Sequence, residues 1–126
     1  MKKILIILAI LALAAASYAA EATQRDYNFR GFHYAETIAT TETGETVKIP
    51  TIQMWRNITV TLVAGANTGK IQTTTSSDAA VAAGTATWAD WDLGTQTGTV
   101  SDVITGPVTG IRGVSVSGEV KIEIVY

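Results

Sequence analysis

Apolar and polar residues alternate with a period of two along much of the chain. Ile58, Val60 and Leu62 alternate with Thr59, Thr61 and Val63, and Val120, Ile122 and Ile124 alternate with Lys121 and Glu123. Successive strand residues point to opposite faces, so this pattern predicts half-buried strands with the first-named set of each directed inward. Residues 97–104 alternate in the same way, and Val47 and Ile49 flank Lys48 ahead of Pro50, which ends a strand or marks an edge. Tyr27 and Phe29 alternate with Asn28 and Arg30, and residues 32–34 read as a continuation of that aromatic strand. Residues 64–69 carry turn composition, so the strand before them and residues 70–76 after them are expected to pair as a hairpin. Residues 85–91 read as a strand with Trp88 on one face, and Val108, Ile111, Val114 and Val116 as another. Gly118-Glu119 reads as the turn of a C-terminal hairpin.

One stretch favours helix. Residues 78–83 offer Asp78 as an N-cap and Gly84 as the residue past the end, but a single turn is too short to stand alone. Composition points the same way as periodicity. Of 20 Thr, 19 follow residue 23, with Val, Ile and Gly as companions. β-Branched side chains lose rotamer freedom in helices and fit a pleated surface. The expectation is an all-β fold over residues 20–126, a single antiparallel β-sandwich, jelly-roll-like, of about seven or eight short strands.

The first residues read differently. Lys2 and Lys3 precede an unbroken apolar run over residues 4–16, and Ser17-Tyr18-Ala19 places small residues at a cleavage site. This order predicts a signal peptide over residues 1–19, removed on export. The apolar run is short of the ~20 residues that a membrane span needs, so contact with a membrane is expected only through an uncleaved leader. The product would be exported, periplasmic or extracellular. Without Lys2 and Lys3 the 9 basic residues fall to 7, against 11 acidic, a net charge of −4. A mildly acidic chain without a basic cluster lacks the footprint of a nucleic-acid binder. The absence of Cys and the single His exclude disulfides, thiolate zinc sites and Cys nucleophiles.

Little else suggests chemistry. His33, between Phe32 and Tyr34, has no second His or Cys to join it and reads as a strand residue with its polar edge satisfied. Asp90, Asp92 and Asp102 with Glu36, Glu42 and Glu45 invite a two-carboxylate glycosidase reading, but acidic residues between Gly and Thr are ordinary in loops. Asp90-Trp91-Asp92 lacks the regularly spaced ligands of a calcium loop, and residues 65–70 lack phosphate-loop spacing. Asn57-Ile58-Thr59 matches a glycosylation sequon in a chain where Thr is common. No nucleophile–base pair emerges, so no enzyme, catalytic residue, cofactor or metal is expected. Trp55, Trp88 and Trp91 are the remaining candidates. Trp88 and Trp91 differ by three positions, so in a regular strand they face opposite sides, one in the core and the other at the rim or surface; burial of both in a sheet-packing core is the favoured alternative. An exposed Trp can stack on a sugar or anchor a partner.

The run Thr73-Thr74-Thr75-Ser76-Ser77-Asp78-Ala79-Ala80-Val81-Ala82-Ala83-Gly84-Thr85-Ala86-Thr87-Trp88, Trp91 after it, and Asp102-Val103-Ile104-Thr105-Gly106-Pro107-Val108-Thr109-Gly110-Ile111-Arg112 resemble small β-rich structural proteins of tailed bacteriophages and their environmental relatives. The resemblance covers residues 56–126. It implies a virion or decoration component that packs against copies of itself or against other structural proteins, and it brings no catalytic residues. A virion location would require another role for the leader. Self-association is also expected from sheet edges, with Trp88, Trp91, Ile124 and Tyr126 near the contact, because residues 120–126 carry only Lys121 and Glu123 among aliphatics. The alternative is a secreted module that binds carbohydrate through an exposed Trp88 or Trp91.

The leader reading has a direct check. Mass spectrometry of the exported product should give Ala20 as its first residue, and an intact Met1 in that material would refute cleavage.

Overall fold

A strand can be long only if partners fill both of its edges, and one strand here is long enough to organise the rest. The computed structural model describes residues 23–28, 31–50 and 57–126. The expected leader, residues 20–22 and Trp55 lie outside the described residues, as do residues 29 and 30 of the aromatic segment. In chain order the elements are β1 (Thr23–Asn28), β2 (Gly31–Ile38), β3 (Val47–Lys48), β4 (Ile58–Thr74), α1 (Asp78–Ala82), β5 (Ala89–Asp90), β6 (Gln96–Ile104), β7 (Gly110–Ser117) and β8 (Val120–Val125). The fold is all-β and antiparallel, as the alternation predicted. The hydrogen-bonded order is β1-β2-β8-β4-β7-β3, with β5 and β6 also paired to β4.

β4 runs for 17 residues and belongs to both layers of the sandwich. Its first half lies between β8 and β6: Leu62, for example, faces Ile122 on one side and Val100 on the other. Its second half lies between β7 and β5, where Gln72 faces Arg112 and Asp90. Between the halves the ladder slips at Val63/Gly65, Gly65/Gly69 and Thr68/Gly69. Gly65, at φ 60°, takes a left-handed backbone that L side chains rarely adopt. A bulged strand bends, and strands that pass between packed sheets do so at such bends.

This corrects two expectations. Residues 64–69 do not reverse the chain, and 58–63 does not pair with 70–76. Each half of β4 already has both edges occupied, so glycine geometry suited to a turn is used for a bulge instead. Nor do β7 and β8 form a ladder with each other. Gly118, at φ 65°, turns the chain between them, and the two strands lie in succession along one side of β4. Asn67 on β4 holds that turn, its Nδ2 donating to the Glu119 carbonyl at 2.8 Å.

The expected aromatic strand also divides. β1 and β2 are antiparallel, with Asn28 opposite Gly31 and Tyr27 opposite Phe32, and Thr23 and Gln24 are part of β1. Residues 85–91 contribute only the two-residue β5. Ser77, one residue before Asp78, caps α1 by accepting from the Ala80 N–H.

The inner faces share one core. Ile58, Val60 and Leu62 meet Tyr34, Ile38, Ile122 and Ile124 from the first layer and Ile71, Ile111, Val47 and Val108 from the second. The layers approach closely: a Cβ on Gly113 of β7 would stand 2.5 Å from Ile38 Cδ1 of β2. Among the described residues no helix is long and apolar enough to cross a membrane.

Leu62 is 2% exposed at the centre of this core. Leu62→Ala should therefore cost about 2–5 kcal/mol, the range for large-to-small changes in a packed interior. Denaturant unfolding monitored by circular dichroism measures it. A variant as stable as the parent would place Leu62 on the wrong face.

Candidate functional site

The strands that end each layer decide what the molecule can offer another chain. A strand at a sheet edge has N–H and C=O groups with no ladder partner, and proteins usually blunt such edges by shortness, charge or proline. β3 and β5 are two residues long. β1 carries Arg25 and Asp26 within six residues. β6 is different. It has nine residues, Gln-Thr-Gly-Thr-Val-Ser-Asp-Val-Ile, without proline or lysine. Among the described residues it pairs only with β4.

Local chemistry explains how β6 comes to be an edge that is ordered yet open. Every second residue, Thr97, Thr99, Ser101 and Val103, is exposed, and the intervening ones are half-buried until Ile104 enters the core. Thr61 and Ser101, opposite each other on β4 and β6, share a hydroxyl hydrogen bond of 2.9 Å. Asp102 is the one charged residue on β6, and both of its oxygens are engaged. Oδ2 accepts from Trp91 Nε1 at 3.1 Å, and Oδ1 accepts from the Val103 N–H at 2.8 Å. Trp91 itself packs against the core, so this bond pins β6 to the interior.

The outer face of the second layer is polar and internally paired. Asp90, Gln72 and Arg112 stand in a row across β5, β4 and β7. Arg112 Nε and Nη2 donate to Gln72 Oε1 at 2.9 and 2.8 Å, and Gln72 Nε2 donates to Asp90 Oδ1 at 2.8 Å. Lys70 Nζ donates to Asp90 Oδ2 at 2.8 Å. The Arg112 guanidinium lies 4.0 Å from the centroid of the Trp88 ring, a cation–π contact. Partial burial lowers the Arg112 pKa from its ordinary value. The Lys70 ammonium, and after it the Gln72 amide, hold the Asp90 carboxyl below the usual carboxylate range. Lys121 does the same for Glu123 on β8.

The four residues expected at an interaction surface are thus placed far apart in character. Trp91 reaches the core and Trp88 covers Gly110 and Arg112, so one is inner and the other lies at the rim. Ile124 and Tyr126 need a correction. β8 is an interior strand between β2 and β4, and Ile124 is fully buried. Tyr126 continues the pairing with Phe32, N–H to carbonyl in both directions at 2.8 and 3.2 Å, and their rings stack at 4.7 Å. Val120, Ile122 and Ile124 face the core while Val125 is exposed, and among the described residues the long open edge lies on β6.

Sequence reasoning also missed a polar group in the interior. Glu36 is on β2, not in a loop, and is 8% exposed. It accepts from the Tyr34 hydroxyl at 2.8 Å and from the Glu45 N–H at 3.0 Å to each oxygen. The signal was available in Tyr34-Ala35-Glu36, which puts Glu36 on the inward face with Tyr34. His33 is half-buried on the opposite face, with Asp26 and Val125 as its neighbours in register. Among the described residues no group of three or more His, Cys, Asp or Glu is placed to hold a metal ion.

No family model and no curated protein matches the chain. Solved structures align with it at low identity. A cupin superfamily protein from Desulfitobacterium hafniense is 10% identical, with 82% of this chain and 72% of that one covered and a TM-score of 0.46. A cupin-2 domain protein from Shewanella frigidimarina is 11% identical over 84% of this chain and 79% of its own, TM-score 0.41. An oxalate oxidase is 9% identical over 75% of this chain and 40% of its own, TM-score 0.42. The likeness is one of fold. The expectation that the chain is no enzyme is corrected, because the aligned structures include an enzyme, the oxalate oxidase.

The polar row makes a pH prediction. A carboxyl whose folded pKa is depressed contributes stability that is present above its unfolded pKa of ~3.9 and lost as pH falls through the folded value. Asp90→Asn removes that contribution. Thermal melts from pH 7 to pH 2 should show the parent losing its advantage over the variant below about pH 4. A constant offset between the two across that range would show that the Lys70 contact does not couple to folding.

Proposed function

We propose that the protein is a structural, assembly-type subunit that joins copies of itself, or docks on a larger particle, through the outer edge of β6. The observation that carries this reading is the edge itself: nine residues long, without proline or lysine, and with its single charge engaged by Trp91. Strand addition to such an edge supplies main-chain hydrogen bonds without needing a deep pocket. The resemblance of residues 56–126 to structural proteins of tailed phages agrees with an assembly role. The expected leader favours assembly after export, or on a virion if the leader serves another purpose. The carbohydrate reading has less support, because Arg112 stacks on Trp88 and Trp91 packs against the core.

Lysine is the natural guard of a sheet edge, and Thr99 and Ser101 are both exposed, so lysines there do not disturb the core. Light scattering of the purified protein at micromolar concentration should give a mass above that of one chain. The double variant Thr99→Lys/Ser101→Lys should reduce it to a monomer with unchanged circular dichroism. An oligomer that survives both substitutions would overturn the reading, as would a parent that is monomeric and binds a polysaccharide.

A further inference from the structure

The sequence of β6 also selects a partner. Building on the assembly reading, we infer that the occupant of the β6 edge is β6 of a second copy, antiparallel and related by a two-fold axis through Val100.

Three alignments of β6 on itself can be compared by charge and overlap. A parallel, in-register pair would set Asp102 directly opposite its twin, and like charges in that position are destabilising. An antiparallel pair centred on Val100 keeps all nine residues of β6 in register. It places Val100 against Val100, Thr99 against Ser101, Thr97 against Val103, and Asp102 against Gly98. The two carboxylates then lie four residues apart along the ladder, roughly 14 Å at ~3.4 Å per residue, beyond the ~8 Å screening length of physiological salt. Gly98 has no side chain to crowd Asp102. A register shifted by several residues keeps the charges apart but leaves residues at each end unpaired. The centred antiparallel register satisfies both criteria, and it is isologous and closed, so it ends at a dimer rather than a fibre.

Side chains on the two faces suit this arrangement. Thr97, Thr99, Ser101 and Val103 project on the exposed face, where Thr and Ser hydroxyls pair across strands as Thr61 and Ser101 already do within one chain. The half-buried Val100 lies on the other face, so its pairing across the axis removes apolar surface from water.

The chain has no cysteine, so introduced thiols report the register directly. A disulfide requires Cα atoms about 4.4–6.8 Å apart, which only residues directly opposite each other provide. Under mild oxidation, Val100→Cys should shift to dimer mass on a non-reducing gel. Thr97→Cys alone and Val103→Cys alone should remain monomeric, since each is roughly 20 Å from its own twin at ~3.4 Å per residue. An equimolar mixture of those two variants should shift to dimer mass. Linking by Thr97→Cys alone would establish a parallel pair, and an oligomer in which Val100→Cys stays unlinked would establish another register. Either result overturns the two-fold while leaving the β6 edge as the contact. No linking by any combination, together with an oligomer indifferent to Thr99→Lys/Ser101→Lys, would overturn both the register and the assembly reading.

Discussion

β4 has ladder partners on both of its edges in each of its halves, and the rest of the structure follows from that constraint. β8 and β7 occupy one side and β6 and β5 the other. A strand of 17 residues kept flat would carry its second half away from the core. The slips around Gly65 and Gly69 bend it, so that Ile58, Val60 and Leu62 before the bend and Ile71 after it meet in one interior. Strand β7 then faces β2 closely enough that a Cβ at position 113 would displace the end of Ile38. Among the described residues the longest strand paired on one side only is β6.

The polar side chains of Glu36, Thr74 and Ser115, brought inside by this folding, are hydrogen-bonded. A buried carboxylate is costly unless hydrogen-bonded, and Glu36 receives the Tyr34 hydroxyl and the Glu45 N–H. The second of these fastens the segment after β2 against the sheet, and Gly44 makes room for it: a Cβ there would lie within van der Waals overlap of the Glu36 carboxylate. Ser115 works similarly on β7, accepting from the Thr41 N–H at 3.2 Å. The same economy of partners leaves Trp88, Arg112, Gln72, Asp90 and Lys70 bonded to one another.

What could be read in the sequence was whatever depends on a single strand. The alternation of Ile58, Val60 and Leu62, and of Ile122 and Ile124, identified inward faces that are buried. Pairing was harder, because Gly65 and Gly69 can serve a turn or a bulge and only the partners available decide which. The apolar residues of β8 suggested a sticky edge. Val120, Ile122 and Ile124 are apolar because they face the core, and both edges of β8 are paired, a distinction that no local pattern contains. β6 showed the reverse: its Thr, Ser and Gly content looks unremarkable until the fold leaves it at the boundary. Nor does the Trp88–Trp91 spacing contain the arrangement found, with Trp91 packed against the core and Arg112 over the Trp88 ring.

Among the described residues β6 is the one long strand paired on a single side while β4 has partners on both, and amide hydrogen exchange distinguishes the two directly. Measured residue by residue at low and high protein concentration, β4 should be slow to exchange at both. In β6, alternate amides within residues 96–101 should exchange fast when dilute and become protected as concentration rises, with little change elsewhere. Protection that grows with concentration in β1 or β8 but not in β6, or a β6 fully protected in the dilute monomer, would contradict it.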